Sequence, residues 1–298
     1  MAATVHAFPE SLEPARQLAT RLGLELSGVK THRFPDGESL VQVEPRPGLA
    51  ILFRSLDNPN TKLVELLLAA AALRDNHARQ VILVVPYLGY MRQDRAFEPG
   101  QAVSQRVIGA LLARHFDALL TVDPHLHRIS SLSEVMPGLD ARSISAAPAL
   151  GSFVKQADDV VLAGPDSESA QWVKAIATPL GLDTIVGEKR RLGDREVELA
   201  FSGIAKVAGR PVVLVDDVIA SGHTIEVAAR RLLDGGASRV EVVTTHCLAN
   251  REDLDRLHRS GIARISSTDS VPGPAAVIPL AGLLADAIVE RGWLADKP

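Results

Sequence analysis

The sequence predicts an α/β protein of two similar domains, each of a type with a mostly parallel central sheet flanked by helices. Three observations predict it. Short apolar runs alternate with longer amphipathic ones along the chain, which is the rhythm of βαβ units. Hydrophobic residues make up 46% of the chain and aromatics only 4%, so Ala, Val and Leu must fill the core, as in Val-rich parallel strands under Ala- and Leu-rich helices. One segment also repeats: "LRDNHARQVILVV" from Leu73 and "LLDGGASRVEVVT" from Leu232 keep Leu, Asp, Ala and Val in step at an offset of 159 residues. With the same order of elements around both copies, internal duplication is the better reading.

Taken in order, residues 49–53 (LAILF) read as a buried strand and residues 61–74 as a Leu- and Ala-rich helix. Residues 81–85 (VILVV) are a strand, 104–116 a helix, and 118–122 (ALLTV) a strand ending in "DPHLH". The pattern resumes with a strand at 160–164, a helix near 170–180 and a strand near 184–186. A strand at 212–216 (VVLVD), a helix over 224–233 and the apolar run 240–248 follow. The domain boundary is expected near residues 143–152, giving an N-terminal domain of 1–147 and a C-terminal domain of 148–298, with the final GWLADKP frayed or loosely docked.

Bulk properties exclude several function classes. The formal net charge is −4 and no basic run stands out, which argues against nucleic acid or an anionic membrane as the main partner. Cys247 is the single cysteine, so no internal disulfide is possible, in keeping with a reducing cytoplasm. No apolar run reaches the roughly 18 residues of a spanning helix, and the first ten residues lack the basic start and apolar core of a signal peptide.

The most informative stretch is "VVLVDDVIASGHT", residues 212–224. In open parallel sheets ligands bind beyond the carboxyl ends of the strands, where Asp216 and Asp217 are expected. Residues 221–224 would open the next helix, whose free backbone N–H groups and dipole attract a phosphate. The Ser221 and Thr224 hydroxyls can add donors, and Gly222 lets the backbone approach closely. Carboxylates are pure acceptors and suit the paired hydroxyls of a sugar. A sugar phosphate therefore fits both ends of the loop. The plainer alternative makes Asp216 a turn cap and Asp217 a solvated acid.

This loop resembles the ribose-5-phosphate and diphosphate loop of the phosphoribosyltransferase fold, shared by nucleobase phosphoribosyltransferases and ribose-phosphate pyrophosphokinases. Other segments favour the pyrophosphokinases. "HRFPDGESLVQV" reads physically as a hairpin turn at Pro35-Asp36-Gly37. It resembles the hairpin with which that family reaches the adenine of ATP on a neighbouring subunit, which implies that role for Phe34, Asp36 and Glu38. "VVPYLGYMRQDRAF" alone would be a salt-bridged surface. Its likeness to the family's GYxRQDR segment implies that Arg92 and Gln93 contact the ATP phosphates, and guanidinium forks suit phosphate oxygens. "TVDPHLH" alone is a turn. The resemblance implies that His125 is a Mg²⁺ ligand with Asp123 beside it, although imidazole suits a softer metal. "LAGPDSESA" resembles the family's PD loop and implies that Asp166 is the second metal-associated residue; it departs from the family in Glu168 and Ser169.

"GEKRRLGDRE" would by itself be a solvated hairpin. In the pyrophosphokinases a flexible loop here supplies a Lys and an Arg two residues apart, and Lys189 and Arg191 match that spacing. The resemblance runs from about residue 5 to residue 290. It implies transfer of the β,γ-diphosphoryl group of ATP to ribose 5-phosphate, giving 5-phosphoribosyl 1-diphosphate (PRPP) and AMP. Lys189 and Arg191 would be catalytic, Mg²⁺ the cofactor, and Asp216, Asp217, Ala220, Ser221, Gly222, His223 and Thr224 the ribose-5-phosphate site. A homo-oligomer with a shared adenine site is implied. Ala220 and His223 stand where the family often has an acid and a glycine. The rivals are a non-catalytic regulatory member of the family, a transferase acting on a nucleobase, and a nucleotide-sensing interaction protein.

Overall fold

The computed structural model describes residues 2–126, 129, 131–155, 159–191 and 197–295. They fall into two compact units, Met1–Ser145 with Leu280–Pro298, and Ala146–Pro279.

The first unit contains β1 (Ala3–Ala7), α1 (Leu12–Leu22), β2 (Glu25–Gly28), the hairpin β3 (Lys30–Arg33) and β4 (Ser39–Gln42), β5 (Gly48–Phe53), α2 (Pro59–Asp75), β6 (Ala78–Val85), α3 (Ser104–His115), β7 (Ala118–Val122) and β8 (Asp140–Ile144). Its main sheet runs β2-β1-β5-β6-β7-β8, all parallel. Ala50, Leu52, Val81, Leu83 and Leu119 of this sheet pack with Leu63, Leu66 and Leu73 of α2 and Leu112 of α3.

The second unit begins with α4 (Ala147–Val154) and continues through β9 (Val161–Gly164), α5 (Ala170–Leu180), β10 (Thr184–Arg191), β11 (Val197–Phe201), β12 (Pro211–Ile219), α6 (His223–Asp234), β13 (Arg239–Cys247), α7 (Arg251–Arg259), β14 (Ile262–Thr268) and β15 (Ala276–Ile278). The sheet order is β11-β10-β9-β12-β13-β14-β15, parallel except for the β10–β11 pair. The final helix, α8 (Ala281–Glu290), belongs to the first unit.

The duplication is visible in the topology. Aligning β1 with β9 also aligns β2 with β10, β5 with β12, β6 with β13, β7 with β14 and β8 with β15. The repeated segment sets the same turn in both copies. His77 has φ +67° and Gly236 has φ +92°, and the two are 159 residues apart. Glycine adopts that left-handed conformation freely, whereas His77 is strained there.

The structure differs from the sequence reading in three places. The boundary, at residues 145/146, falls within the expected range, but residues 280–298 return to the first unit instead of completing the second. Packing explains the return: α8 lies on α1, just as α4, after the last strand of the first sheet, lies on α5. The terminal segment docks: Trp293 is buried, its Nε1 donates to Asp140 Oδ2 at 2.8 Å, and Arg291 pairs with the same carboxylate. Residues 296–298 lie outside the described residues. Finally, β10 and β12 are longer than read. β12 runs through both acids to Ile219, because Val218 and Ile219 are buried and pair with His246 and Cys247 of β13.

A buried ion pair fixes the β3–β4 hairpin. Arg54 stacks 3.7 Å over the Phe8 ring and donates from Nε to Glu10 at 2.8 Å and from Nη2 to Glu65 at 2.6 Å. Glu65, the one charge in the apolar run LVELLLAAAAL, also accepts from Ser39 Oγ of β4 at 3.0 Å. Glu65→Ala leaves Arg54 buried with one of its two carboxylate partners gone, so a stability loss of about 3–5 kcal/mol is expected by chemical denaturation. Glu65→Gln, which keeps the hydrogen bonds, should lose less.

His6 on β1 is fully buried, and both its ring nitrogens lack a hydrogen-bond partner among the described residues. Burial, reinforced by Arg46 and opposed by Glu44, lowers its pKa from 6.5 to about 4. The unfolded chain binds this proton at 6.5 and the folded one does not, so the neutral His6 is fully tolerated above pH 6.5. Stability is then lost as pH falls toward 4. The shift corresponds to about 3 kcal/mol. His6→Leu should remove that part of the acid dependence and leave stability at pH 7.5 equal or higher, read as paired denaturation curves at pH 7.5 and 4.5.

Candidate functional site

Strand order decides where a ligand can sit. In the second unit β10 lies on one side of β9 and β12 on the other, so the chain direction across the sheet reverses between β9 and β12. Such a switch point leaves a crevice at the carboxyl ends of the two strands. Asp166 follows β9, and Asp216 and Asp217 occupy the end of β12.

Asp166 caps a short turn. Its Oδ1 accepts from Glu168 N at 3.2 Å, and its carbonyl accepts from Ser169 Oγ at 2.6 Å. The two departures from the family pattern therefore have separate parts: Ser169 is buried and closes the turn, while Glu168 is exposed. Beside this turn β10 crosses at Gly187, where an added Cβ would meet Pro165 O at 2.5 Å. Glycine is needed for that approach, which ties the strand carrying Lys189 and Arg191 to the Asp166 turn.

The acids are not equivalent. Neighbouring strand residues alternate sides; Asp217 is buried and Asp216 half-buried, and Asp216 Oδ1 accepts from Asp217 N at 3.0 Å. Burial raises the pKa of Asp216 from 3.8 to about 8, and the charges of Asp217 and Asp166 add to the shift. The negative charges of Asp217 and Asp166 thus repel an ionised Asp216 and favour its protonated form. A cation or a diol donating hydrogen bonds would relieve that repulsion.

After Ile219 the chain passes through Ala220 and Ser221, both exposed, to Gly222 at φ +79°. α6 starts at His223, one residue earlier than read, with Glu226 N bonded to Gly222 O at 2.9 Å. The N–H groups of His223, Thr224 and Ile225 precede the first intrahelical bond and are available to an anion. Gly222 has a further cause beside the one inferred above. A Cβ there would lie 2.7 Å from Leu257 Cδ1, so glycine admits α7 as well as the turn.

Lys189 and Arg191 lie on β10, in register with Leu199 and Val197 of β11. Their side chains and residues 192–196 of the same loop lie outside what the structure describes.

In the first unit, β6 and β7 are adjacent, with Val85 opposite Thr121, so the loops after them leave the same edge of the sheet. Arg92 and Gln93 are on the first and His125 on the second. Gln93 is held by α3: its carbonyl accepts from Gln105 N at 3.3 Å, and its side chain bonds Ser104. Gln105, buried, donates to Met91 O at 3.2 Å. Arg92 beside it is exposed. Ser104 and Gln105 were missed in sequence, although a Gln on the apolar face of a helix was a usable signal. Phe34, Asp36 and Glu38 form the hairpin tip. Asp36 Oδ1 accepts from Glu38 N at 3.1 Å, and Phe34 stands edge-on to His32 with centroids 4.8 Å apart.

Among the described residues no three His, Cys, Asp or Glu side chains stand close enough to enclose a metal ion. Mg²⁺ fits this arrangement only as an ion held by one or two protein groups, with water and substrate phosphates completing its octahedron. Asp166, with its hard oxygen donors, suits that mode. No helix of the described residues is long and apolar enough to cross a membrane.

Two sequence families match the chain: the N-terminal domain of ribose phosphate pyrophosphokinase over residues 4–115, and the phosphoribosyl transferase domain over residues 147–272. A ribose-phosphate pyrophosphokinase of Methanopyrus kandleri is 38% identical, covering 95% of this chain and 98% of its own. Ribose-phosphate pyrophosphokinase 2 of Archaeoglobus fulgidus is 34% identical over 94% of this chain and 98% of its own. The crystal structure of phosphoribosylpyrophosphate synthetase from Mycobacterium smegmatis superposes with a TM-score of 0.84 at 25% identity, covering 99% of both chains. With two phosphoribosyltransferase-type units and relatives matched end to end, this chain belongs to the ribose-phosphate pyrophosphokinase family.

Proposed function

We propose that the protein transfers the β,γ-diphosphoryl group of ATP to the C1 hydroxyl of ribose 5-phosphate, forming PRPP and AMP. The observation that carries this reading is the switch point between β9 and β12, with Asp166 after β9, Asp216 and Asp217 toward the end of β12, and the start of α6 following at His223. Acceptors at one end and donors at the other match a sugar diol and its 5-phosphate.

The C1 oxygen attacks Pβ, the bond from Pβ to the α–β bridging oxygen breaks, AMP leaves with that oxygen, and the C1 hydroxyl gives up its proton to solvent. Asp216 and Asp217 hold the ribose hydroxyls and fix the angle of attack. Ala220, Ser221, Gly222, His223 and Thr224 wrap the 5-phosphate. Arg92 and Gln93 hold the ATP phosphates, with Gln93 immobilised by Ser104 and Gln105. Lys189 and Arg191 offset the charge that develops on the transferring group. His125 in the first unit and Asp166 in the second would each offer a ligand to Mg²⁺, and bound Mg²⁺ would neutralise phosphate charge.

The hairpin tip at Phe34, Asp36 and Glu38 serves the adenine site of a second copy in a cytoplasmic homo-oligomer. Exposed apolar side chains on the hairpin and on α2 support assembly: Phe34 40%, Leu40 47%, Val64 55% and Leu68 41% exposed.

Phosphorus NMR of purified protein with Mg²⁺, ATP and ribose 5-phosphate tests the reaction. AMP and PRPP should appear together, and neither without the sugar. ADP as the product would signal attack at Pγ and contradict the reading, and no turnover at all would leave a binding protein.

A further inference from the structure

We infer that Arg256 on α7 is a positioning residue for the sugar-phosphate loop, aiming its backbone donors and neutralising the acid behind them; this rests on the ribose-5-phosphate site proposed above. Arg256 Nη2 donates to the Ser221 carbonyl oxygen. In a trans peptide the carbonyl and the following N–H point in opposite directions. Pinning Ser221 O toward α7 therefore turns the Gly222 N–H away from α7, toward the side where the phosphate is expected. A free peptide here could flip and present its oxygen to the anion.

The same guanidinium handles a charge that works against binding. Glu226 lies in the first turn of α6, where a carboxylate competes with a phosphate for the helix N-terminus. One of its oxygens bonds Arg230 at 2.6 Å, and the other lies 3.3 Å from Arg256 Nε, an ion pair without hydrogen-bond geometry. Asp253 Oδ1, 3.1 Å from Arg256 Nη2, steadies the head group, and Asp253 is itself fixed because its N–H bonds the Asn250 cap at 2.9 Å. Two guanidiniums and two carboxylates make the cluster neutral, and removing Arg256 leaves a net negative charge behind the loop. Leu257, the next residue, fills the space left open at Gly222, so α7 braces two consecutive loop residues.

Arg256→Ala should weaken ribose 5-phosphate binding about tenfold to thirtyfold, the range for a lost charge-assisted hydrogen bond. The KM for ATP should stay within about twofold and kcat within about threefold, because neither depends on this peptide. Adding Glu226→Gln to Arg256→Ala should recover about threefold of the lost sugar affinity, since the unscreened acid is removed. Arg256→Lys should fall between wild type and Ala, because an ammonium restores charge without the fork. Calorimetric titration with ribose 5-phosphate reads these effects without turnover. Unchanged sugar affinity in Arg256→Ala would overturn the inference. So would a uniform loss of ATP and sugar affinity with a lowered melting temperature and no rescue by Glu226→Gln. Arg256-sensitive binding in a protein without turnover would defeat the enzyme reading and leave this inference standing. Turnover with Arg256-insensitive binding would do the reverse.

Discussion

Lys189→Ala lowers kcat for PRPP formation by about 10²–10³-fold, the usual effect of removing one group that stabilises transition-state charge. Affinity for ribose 5-phosphate should stay within about twofold, because the proposed sugar contacts lie on β12 and α6. Diphosphoryl transfer leaves the protein little covalent chemistry to perform, so positioning and charge carry most of the rate. Lys189 is on the strand that Gly187 seats against Pro165, one residue before Asp166. The second cation, Arg191, predicts a similar loss when replaced by Ala. Single-turnover rates at saturating ATP and sugar measure both. A fall of less than about tenfold in each variant would remove them from the chemical step.

Asp216→Ala lowers kcat/KM for ribose 5-phosphate by about a hundredfold or more, because hydroxyls desolvated in the crevice lose their acceptor. The loss should shrink for 2-deoxyribose 5-phosphate, which lacks one of the two hydroxyls. An equal loss for both sugars would mean that Asp216 does not read the diol.

The same residue carries an opposite effect on stability. Its folded pKa is raised to about 8 from 3.8, mainly by burial and then by Asp217 and Asp166. The folded protein therefore retains a proton that the unfolded chain releases. Stability from this group is full below pH 3.8 and lost as pH rises through 8. Asp216→Asn cannot ionise, so the ligand-free variant should melt higher than wild type at pH 8, with a much smaller difference at pH 5. A functional acid held against its solvation is the expected trade of stability for binding.

The sheets were legible because their strands are short runs of Val, Leu and Ile between helices of ordinary length. The duplication was legible because one turn kept its spacing. A sugar-phosphate site could be proposed from the β12–α6 loop by chemistry alone, whereas Phe34, Arg92, His125 and Lys189 acquired roles only through resemblance. What stayed hidden depends on contacts far apart in sequence. The exchange of α8 leaves no local pattern, so residues 280–298 were assigned to the second domain although the boundary itself fell in the expected range. The extension of β12 beyond Asp216 to Ile219 depends on its neighbour β13, which a linear reading cannot weigh against a second acid. Gly222 was credited to the ligand because Leu257, 35 residues on, could not be foreseen beside it. Glu65 and Gln105, single polar residues within apolar helical faces, were the signals passed over.

The most direct test of the whole account is the structure of the protein crystallised with ribose 5-phosphate. The account predicts the 5-phosphate on the N–H groups of residues 222–225 and the ribose hydroxyls on Asp216 and Asp217. Sugar bound elsewhere, or both carboxyls turned away from it into internal pairs, would contradict it.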